Sequence, residues 1–164
     1  MGMTIPAVGR WGTVPEGPVF DEFYRREWPY AVRLAHLLTG VDAIAEDLAQ
    51  DAFARVQVKW TTIDNAAAYL RTTLVNVCRS WHRSHGREQA RLQRARPDEV
   101  TYLATDHLLD AIDALPYRQK AVLVLRYYHD LAEADIAEAL QCRPGTVKSL
   151  ASRALEQLRT VIEP

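Results

Sequence analysis

Three ligand-type side chains stand close together in the middle of the chain: Cys78, His82 and His85. Their i, i+4, i+7 spacing puts them on one face of a helix, where thiolate and imidazole could hold a zinc ion. A tetrahedral site needs a fourth donor, and the other cysteine, Cys142, fits an apolar position in a distant segment. No metal is expected. Nor do His129 and the remaining histidines sit beside a nucleophile or a paired carboxylate, and the sequence has neither a glycine-rich phosphate loop nor a hydrolase triad pattern. No cofactor and no enzymatic activity are expected. What the chain offers instead is sorted charge. Residues 66–96 hold 7 arginines against the single Glu88, a net of +6. Residues 97–140 hold 9 acidic and 3 basic side chains, a net of −6, while the whole chain is only −1. A merely solvated helix would intersperse carboxylates among its arginines. Their near absence from 66–96 favours an anionic partner.

A second cationic group lies near the end of the chain and fits a helix-turn-helix. With Ala137 as the small residue where two helices touch, Ile136, Leu140, Cys142 and Val147 fall at the buried positions, and Leu150 fills the last inward one. The second helix is then expected over 144–158, with Lys148, Ser149, Ser152 and Arg153 facing away from the core. Short polar and cationic side chains near the start of such a helix can enter a major groove. An ordinary helical hairpin with a solvated face would show the same alternation. Gln141 occupies a turn position that suits Gly or Asn, and Ala132 stands where Ser or Thr would cap the first helix.

The elements that must position these groups are helical throughout. The 164 residues are 48% hydrophobic and 25% charged, enough for a packed core. No apolar run approaches the roughly 18–20 residues of a membrane span. The first 18 residues lack an apolar signal core, and two cysteines cannot build a disulfide framework, which suits a reducing cytoplasm. In the first helical segment Phe23, Tyr30, Leu34 and Leu38 fall near helical spacing, Pro29 is expected to kink or divide it, and Thr39-Gly40 to stop it. Asp42 is expected to cap the next helix, whose stripe is Ile44, Leu48, Ala52 and Val56, widened by Ala45, Ala49 and Phe53. Glu46, Asp47, Gln50 and Asp51 are left on its other side. After a polar break at 61–65, a third helix turns Leu70, Leu74, Val77 and Trp81 inward and Arg71, Arg79 and Arg83 outward; Trp60, Tyr69 and Trp81 are read as core. Periodicity fades over 86–105 and returns in helices over 107–115 and 116–129, the latter with Pro116 in its first turn. The expectation is an all-α chain. A disordered tail (1–19), a helical block (20–86), a flexible linker (87–105) that is helical in part at most, and a second helical block (106–162) make it up.

Taken together, the two blocks resemble the extracytoplasmic-function (group 4) sigma factors of the sigma-70 family. The first carries EDLAQDAF (46–53), an aromatic at Trp60 and YLRTTLVNVCRSWHR (69–83); the second carries LDAIDALPYRQKAVLVLRYYHDLAEADIAEAL followed by CRPGTVKSLASRALEQLR. The resemblance covers about 20–159 and departs from the family at Gln141, Arg143 and Leu150. It implies a factor that joins core RNA polymerase, through its β and β′ subunits, and directs it to promoter DNA. Glu46, Asp47, Gln50 and Asp51 would dock on the polymerase clamp; Asp47 and Asp51, four apart, share a face. For the −10 element, Asp64 and Asn65 would capture an exposed base while Arg71, Arg79 and Arg83 hold phosphates, and Asn76 is read as structural. For the −35 element the implied contacts are Arg143, Thr146, Lys148, Ser149, Ser152 and Arg153. An anti-sigma factor is a candidate further partner, a membrane is not, and no regulatory extension is expected after Pro164. The alternatives are a free-standing helix-turn-helix regulator, which would bind duplex DNA unaided, and an all-helical interaction protein that ignores DNA.

Overall fold

Helix α1 (Pro18–Thr39) forms because Phe20, Phe23, Ala31, Leu34, Ala35 and Leu38 recur at helical spacing, and all six are buried. The computed structural model describes residues 18–94 and 104–162; of the expected tail (1–19) residues 1–17 lie outside them, and of the expected linker (87–105) residues 95–103, while 87–94 continue α3 and 104–105 open α4. Pro29 was expected to break α1, yet the helix runs through it. Proline leaves the carbonyl four residues back, that of Arg25, without its usual donor, and both Pro29 and Arg25 are exposed, where water can serve. The helix stops where expected. The Thr39 hydroxyl donates to the Ala35 carbonyl, and Gly40 takes a left-handed φ of 73° while its N–H donates to the His36 carbonyl.

Helix α2 (Asp42–Val58) starts one residue earlier than a cap at Asp42 requires. Val41 occupies the capping position, and the Asp42 carboxylate turns back to lie 2.7 Å from His36 Nδ1. Its buried stripe is Ala45, Ala49, Ala52, Phe53 and Val56; Ile44 and Leu48, expected at the centre, are at its half-buried margin. The stripe rotates towards its alanines because small side chains let α1 approach closely. A short 3-10 turn (Trp60–Thr62) then leads to α3 (Ala66–Arg94), which is opened by Asn65: its Oδ1 accepts from the Ala68 N–H and its carbonyl from the Tyr69 N–H. Between α1, α2 and the turn lies an aromatic cluster in which Trp60 packs 5.1 Å from both Phe20 and Phe23, and Tyr24 lies 4.7 Å from Phe53.

The second block comprises α4 (Ala104–Asp113), α5 (Tyr117–Leu123), α6 (Glu133–Ala139) and α7 (Pro144–Ile162). Pro116 sits just before α5 rather than in its first turn, its carbonyl accepting from Gln119 and Lys120. The long helix expected over 116–129 changes character at Val124. It winds into a π turn (Val124–Tyr128), closed by the His129 N–H donating five residues back to Val124. Lys120 on α5 is almost wholly buried, with Nζ 2.9 Å from Asp113 Oδ1 at the end of α4. All described elements are helical, with no strand among the described residues and no helix long and apolar enough to cross a membrane.

The blocks are not merely tethered. Phe53, Leu74, Val75 and Cys78 of the first share one core with Val122, Leu125, Ile136 and Val147 of the second. Helix α3 presents two buried faces: Leu70, Leu74 and Val77 as expected, and also Val75 and Cys78.

Candidate nucleic-acid interface

The exposed side of α2 carries Glu46, Asp47, Gln50 and Asp51, all solvent-facing. Amphipathic spacing puts them there: Ala45, Ala49 and Ala52 take the core side of the same turns. Asp51 is engaged by Arg55 one turn on, Nη2 to Oδ2 3.1 Å, an exposed pair weak enough for a partner to displace.

Asp64 and Asn65 stand exposed at the entry to α3, and the Asn65 carboxamide oxygen is committed to capping. Its Nδ2 is the end left to donate to a ligand. The three arginines expected to point outward differ in fact. Arg83 is exposed, whereas Arg71 and Arg79 are half-buried beside the second block. Arg71 is near enough to act electrostatically on Tyr30 and His129, and Arg79 on Tyr117. Of the aromatics read as core, Trp60 belongs there and Tyr69 packs at its edge under Lys59, whose Nζ lies 5.8 Å from the ring centre. Trp81 does not: it stacks on His85, 5.4 Å between ring centres. Cys78, His82 and His85 serve separate surroundings. Cys78 is buried, its thiol pushed up to about 12 by desolvation; His82 faces Tyr117, and His85 lies against Trp81. No group of three or more potential ligands that could hold a metal occurs among the described residues.

In the second block α6 and α7 meet at the turn 140–143. Gln141 adopts a left-handed φ of 51°, and no side chain caps α6 at Ala132. Ile136, Ala137, Leu140 and Val147 are buried, while Cys142 and Leu150 are half-buried. Helix α7 buries Val147, Ala151, Ala154 and Leu158, so Lys148, Ser149, Ser152 and Arg153 face solvent together, with exposed Arg143 before them and half-buried Thr146 on the first turn. The Ser149 hydroxyl donates to the Thr146 carbonyl, and Lys148 lies 3.9 Å from Glu133. The helix runs to Ile162, a turn longer than expected.

Residues 23–88 match the family described as Sigma-70 region 2, and residues 106–158 match Sigma-70, region 4. The RNA polymerase sigma-E factor of Streptomyces coelicolor is 34% identical over 148 residues, covering 85% of this chain and 84% of that one. The chain belongs to the extracytoplasmic-function sigma factors of the sigma-70 family. The ECF RNA polymerase sigma factor SigL of Mycobacterium tuberculosis is 32% identical over 160 residues, 88% of this chain and 87% of that one. Among solved structures, the sigma factor RpoE of Bartonella quintana, in complex with the anti-sigma factor NepR, superposes with a TM-score of 0.70 at 25% identity, covering 88% of this chain and 97% of that one. The protein is thus an RNA polymerase sigma factor acting in transcription initiation, and neither alternative reading is favoured.

Sequence reasoning missed the groups where the two blocks of this sigma factor meet. The Tyr30 and His129 rings lie 4.2 Å apart, and the Tyr117 hydroxyl donates to the Val75 carbonyl at 2.7 Å. Burial pushes the Tyr30 hydroxyl up to about 12 and raises that of Tyr117 further. Burial, reinforced by Arg71 and Arg33, holds His129 down to about 4. His82 is lowered by burial and then by Lys120. The signal available in the sequence was Val75 and Cys78, apolar on a side of α3 otherwise assigned to arginines.

Proposed function

We propose that this sigma factor docks on core RNA polymerase, through β and β′, with the acidic face of α2, and reads a two-element promoter with its two blocks. The boundaries are those drawn from the sequence, 20–86 for polymerase docking and −10 reading, 87–105 as linker, and 106–162 for −35 reading. The chain works in the cytoplasm as a binding factor; catalysis belongs to the polymerase. Asp64 and Asn65 capture a base of the opened −10 element, and Arg71, Arg79 and Arg83 hold phosphates. Arg143, Thr146, Lys148, Ser149, Ser152 and Arg153 approach the −35 groove, where a cation bidentate to guanine specifies and one on phosphate positions. An anti-sigma factor is a further partner, in line with the RpoE–NepR complex.

The observation that carries this reading is the joint exposure of Lys148, Ser149, Ser152 and Arg153 on a helix whose opposite face is buried. For docking, Glu46, Asp47, Gln50 and Asp51 form a solvent-facing set that arginines of a partner coiled coil can engage. The test is the Asp47→Lys, Asp51→Lys double variant. Both residues are exposed, so helicity and melting point should hold within the small range of surface substitutions, about ±0.5 kcal/mol. Affinity for core polymerase should fall at least tenfold. Wild-type affinity in the double variant would remove α2 from the docking surface.

A further inference from the structure

Beside the solvent-facing side of α7 stands a carboxylate that has no part in the contacts assigned so far. Glu133 opens α6, and its Oε1 lies 3.9 Å from Lys148 Nζ on the second turn of α7. The Glu133 side chain is 26% exposed against 73% for Lys148, so the carboxylate is set into the surface from which the ammonium projects. Among the described residues neither group has another ion-pair partner. Helices α6 and α7 pack on one another with Ile136, Ala137 and Val147 buried, which fixes how the two side chains face.

A lone carboxylate on a surface that meets DNA is a liability, because phosphates repel it. Next to a lysine it has a use. Glu133 and Lys148 together carry no net charge, so the pair is a poor clamp for the backbone and a good directional reader, an acceptor beside a donor. The major-groove edge of a base pair offers the complementary arrangement. In G·C the guanine O6 acceptor and the cytosine N4 donor are hydrogen-bonded to each other, about 2.9 Å apart. A donor and an acceptor 3.9 Å apart can span that edge. T·A shows the same alternation through thymine O4 and adenine N6. Where guanine adds N7, a second acceptor within reach of an ammonium, thymine carries a methyl group. With the pair reversed, donor meets donor and acceptor meets acceptor.

We propose that Glu133 and Lys148 read one G·C pair of the −35 element as a unit, Lys148 donating to the guanine and Glu133 accepting from its partner cytosine. Glu133 is then a specificity-determining residue for promoter choice, contributed by α6 rather than by the recognition helix. The proposal rests on the reading that the exposed side of α7 enters the −35 groove; it adds the residue from α6 and the base pair that the unit selects. The carboxylate also keeps Lys148 from binding phosphate indiscriminately, since an ammonium already facing an anion gains less from a second one.

The experiment uses the full-length chain with core polymerase, on promoters that carry every single base-pair change in the −35 element and a fixed −10 element. In Glu133→Ala, preference for G·C should fall about fivefold or more at one −35 position and stay as it was at the others. Lys148→Ala should lose preference at that same position. The double variant should lose no more than either alone, because a unit broken at one end no longer reads. Lys148, freed in Glu133→Ala, should steepen the salt dependence of promoter binding by roughly one phosphate contact. Glu133 also lies in the first turn of α6, where a negative charge favours the helix. Glu133→Asp keeps that charge and draws the carboxylate back from Lys148. It should melt like wild type and still lose the preference, which separates reading from a structural role and covers the case in which Glu133→Ala is unstable. An unaltered −35 profile in both Glu133 variants, a shift at a position that Lys148→Ala leaves alone, or additive losses in the double variant would each overturn the proposal. If Lys148→Ala and Arg153→Ala also left the profile unaltered, the promoter reading of α7 would fall with it. A profile altered by either of those, but not by the Glu133 variants, would strike Glu133 alone.

Discussion

Asn65 caps α3, and the promoter reading proposed above gives the same side chain a second, separable job. Its Oδ1 satisfies an otherwise free N–H at the start of α3, while its Nδ2 is the donor that the proposed base capture would use. Asn65→Asp keeps the cap and places a negative charge at the positive end of the helix, so stability should be unchanged or slightly higher. Promoter opening by the same variant should fall, because the donor has gone. Asn65→Ala should lose about 1 kcal/mol as well as promoter opening. Thermal melts alongside a strand-opening assay separate the two; full promoter opening by Asn65→Asp would leave the residue with capping alone. Ala132 shows the reverse case, a capping position with no cap. Ala132→Ser should raise stability by about 1 kcal/mol, read from urea midpoints at constant slope, and a null result would mean that the serine hydroxyl does not reach the open N–H groups of α6.

At the scale of elements, the joint between the two blocks responds to acid. His129 faces Tyr30 and Arg33 of α1 and Arg71 of α3, and His82 faces Tyr117 and Lys120 of α5; both are held below the ordinary imidazole range, chiefly by burial. Once released, His129 titrates near 6.5, but in the joint only near about 4. Unfolding of the joint therefore takes up protons between those values. The packing of the two blocks around His129 is therefore most stable above pH about 6.5 and loses stability progressively as pH falls towards 4. The melting temperature of the free chain should follow that fall, and His129→Gln should flatten it; a melting temperature that rose on acidification would contradict the sign. The helices themselves, their order and the outward face of α7 were legible from spacing alone, because amphipathic periodicity states which side of a helix is buried. It does not state what buries it. Val75 and Cys78 lie between arginines on α3, and only the arrival of α6 turns their side into core. Lys120 was unreadable for a related reason: its burial depends on Asp113 reaching it from α4. The π turn inserts its extra residue without any glycine or proline to announce it. At the docking and promoter surfaces, residue types and positions could be named, but the half-burial of Arg71 and Arg79 follows from contacts distant in sequence.

For the molecule as a whole, one core running through both blocks makes unfolding a shared event. Calorimetry of the free wild-type chain should give a single endotherm whose calorimetric and van't Hoff enthalpies agree, while His129→Arg should split or broaden it as the blocks uncouple. Two resolved transitions in the wild type would mean that the shared core contributes little to cohesion. The aromatic cluster of the first block has an optical consequence. All four tryptophans of the chain precede residue 82, and Trp28 and Trp60 are set among Phe20, Phe23, Tyr24 and Phe53, whereas the second block absorbs only through its tyrosines. Red-edge excitation therefore illuminates the first block, together with Trp11 ahead of it, and leaves the second block dark. Trp81, stacked on His85 one turn beyond the joint, adds a chromophore whose emission an approaching nucleic acid or polymerase surface can quench. Loss of the first block's packing can thus be followed in unlabelled chain through its own emission, apart from that of the second block.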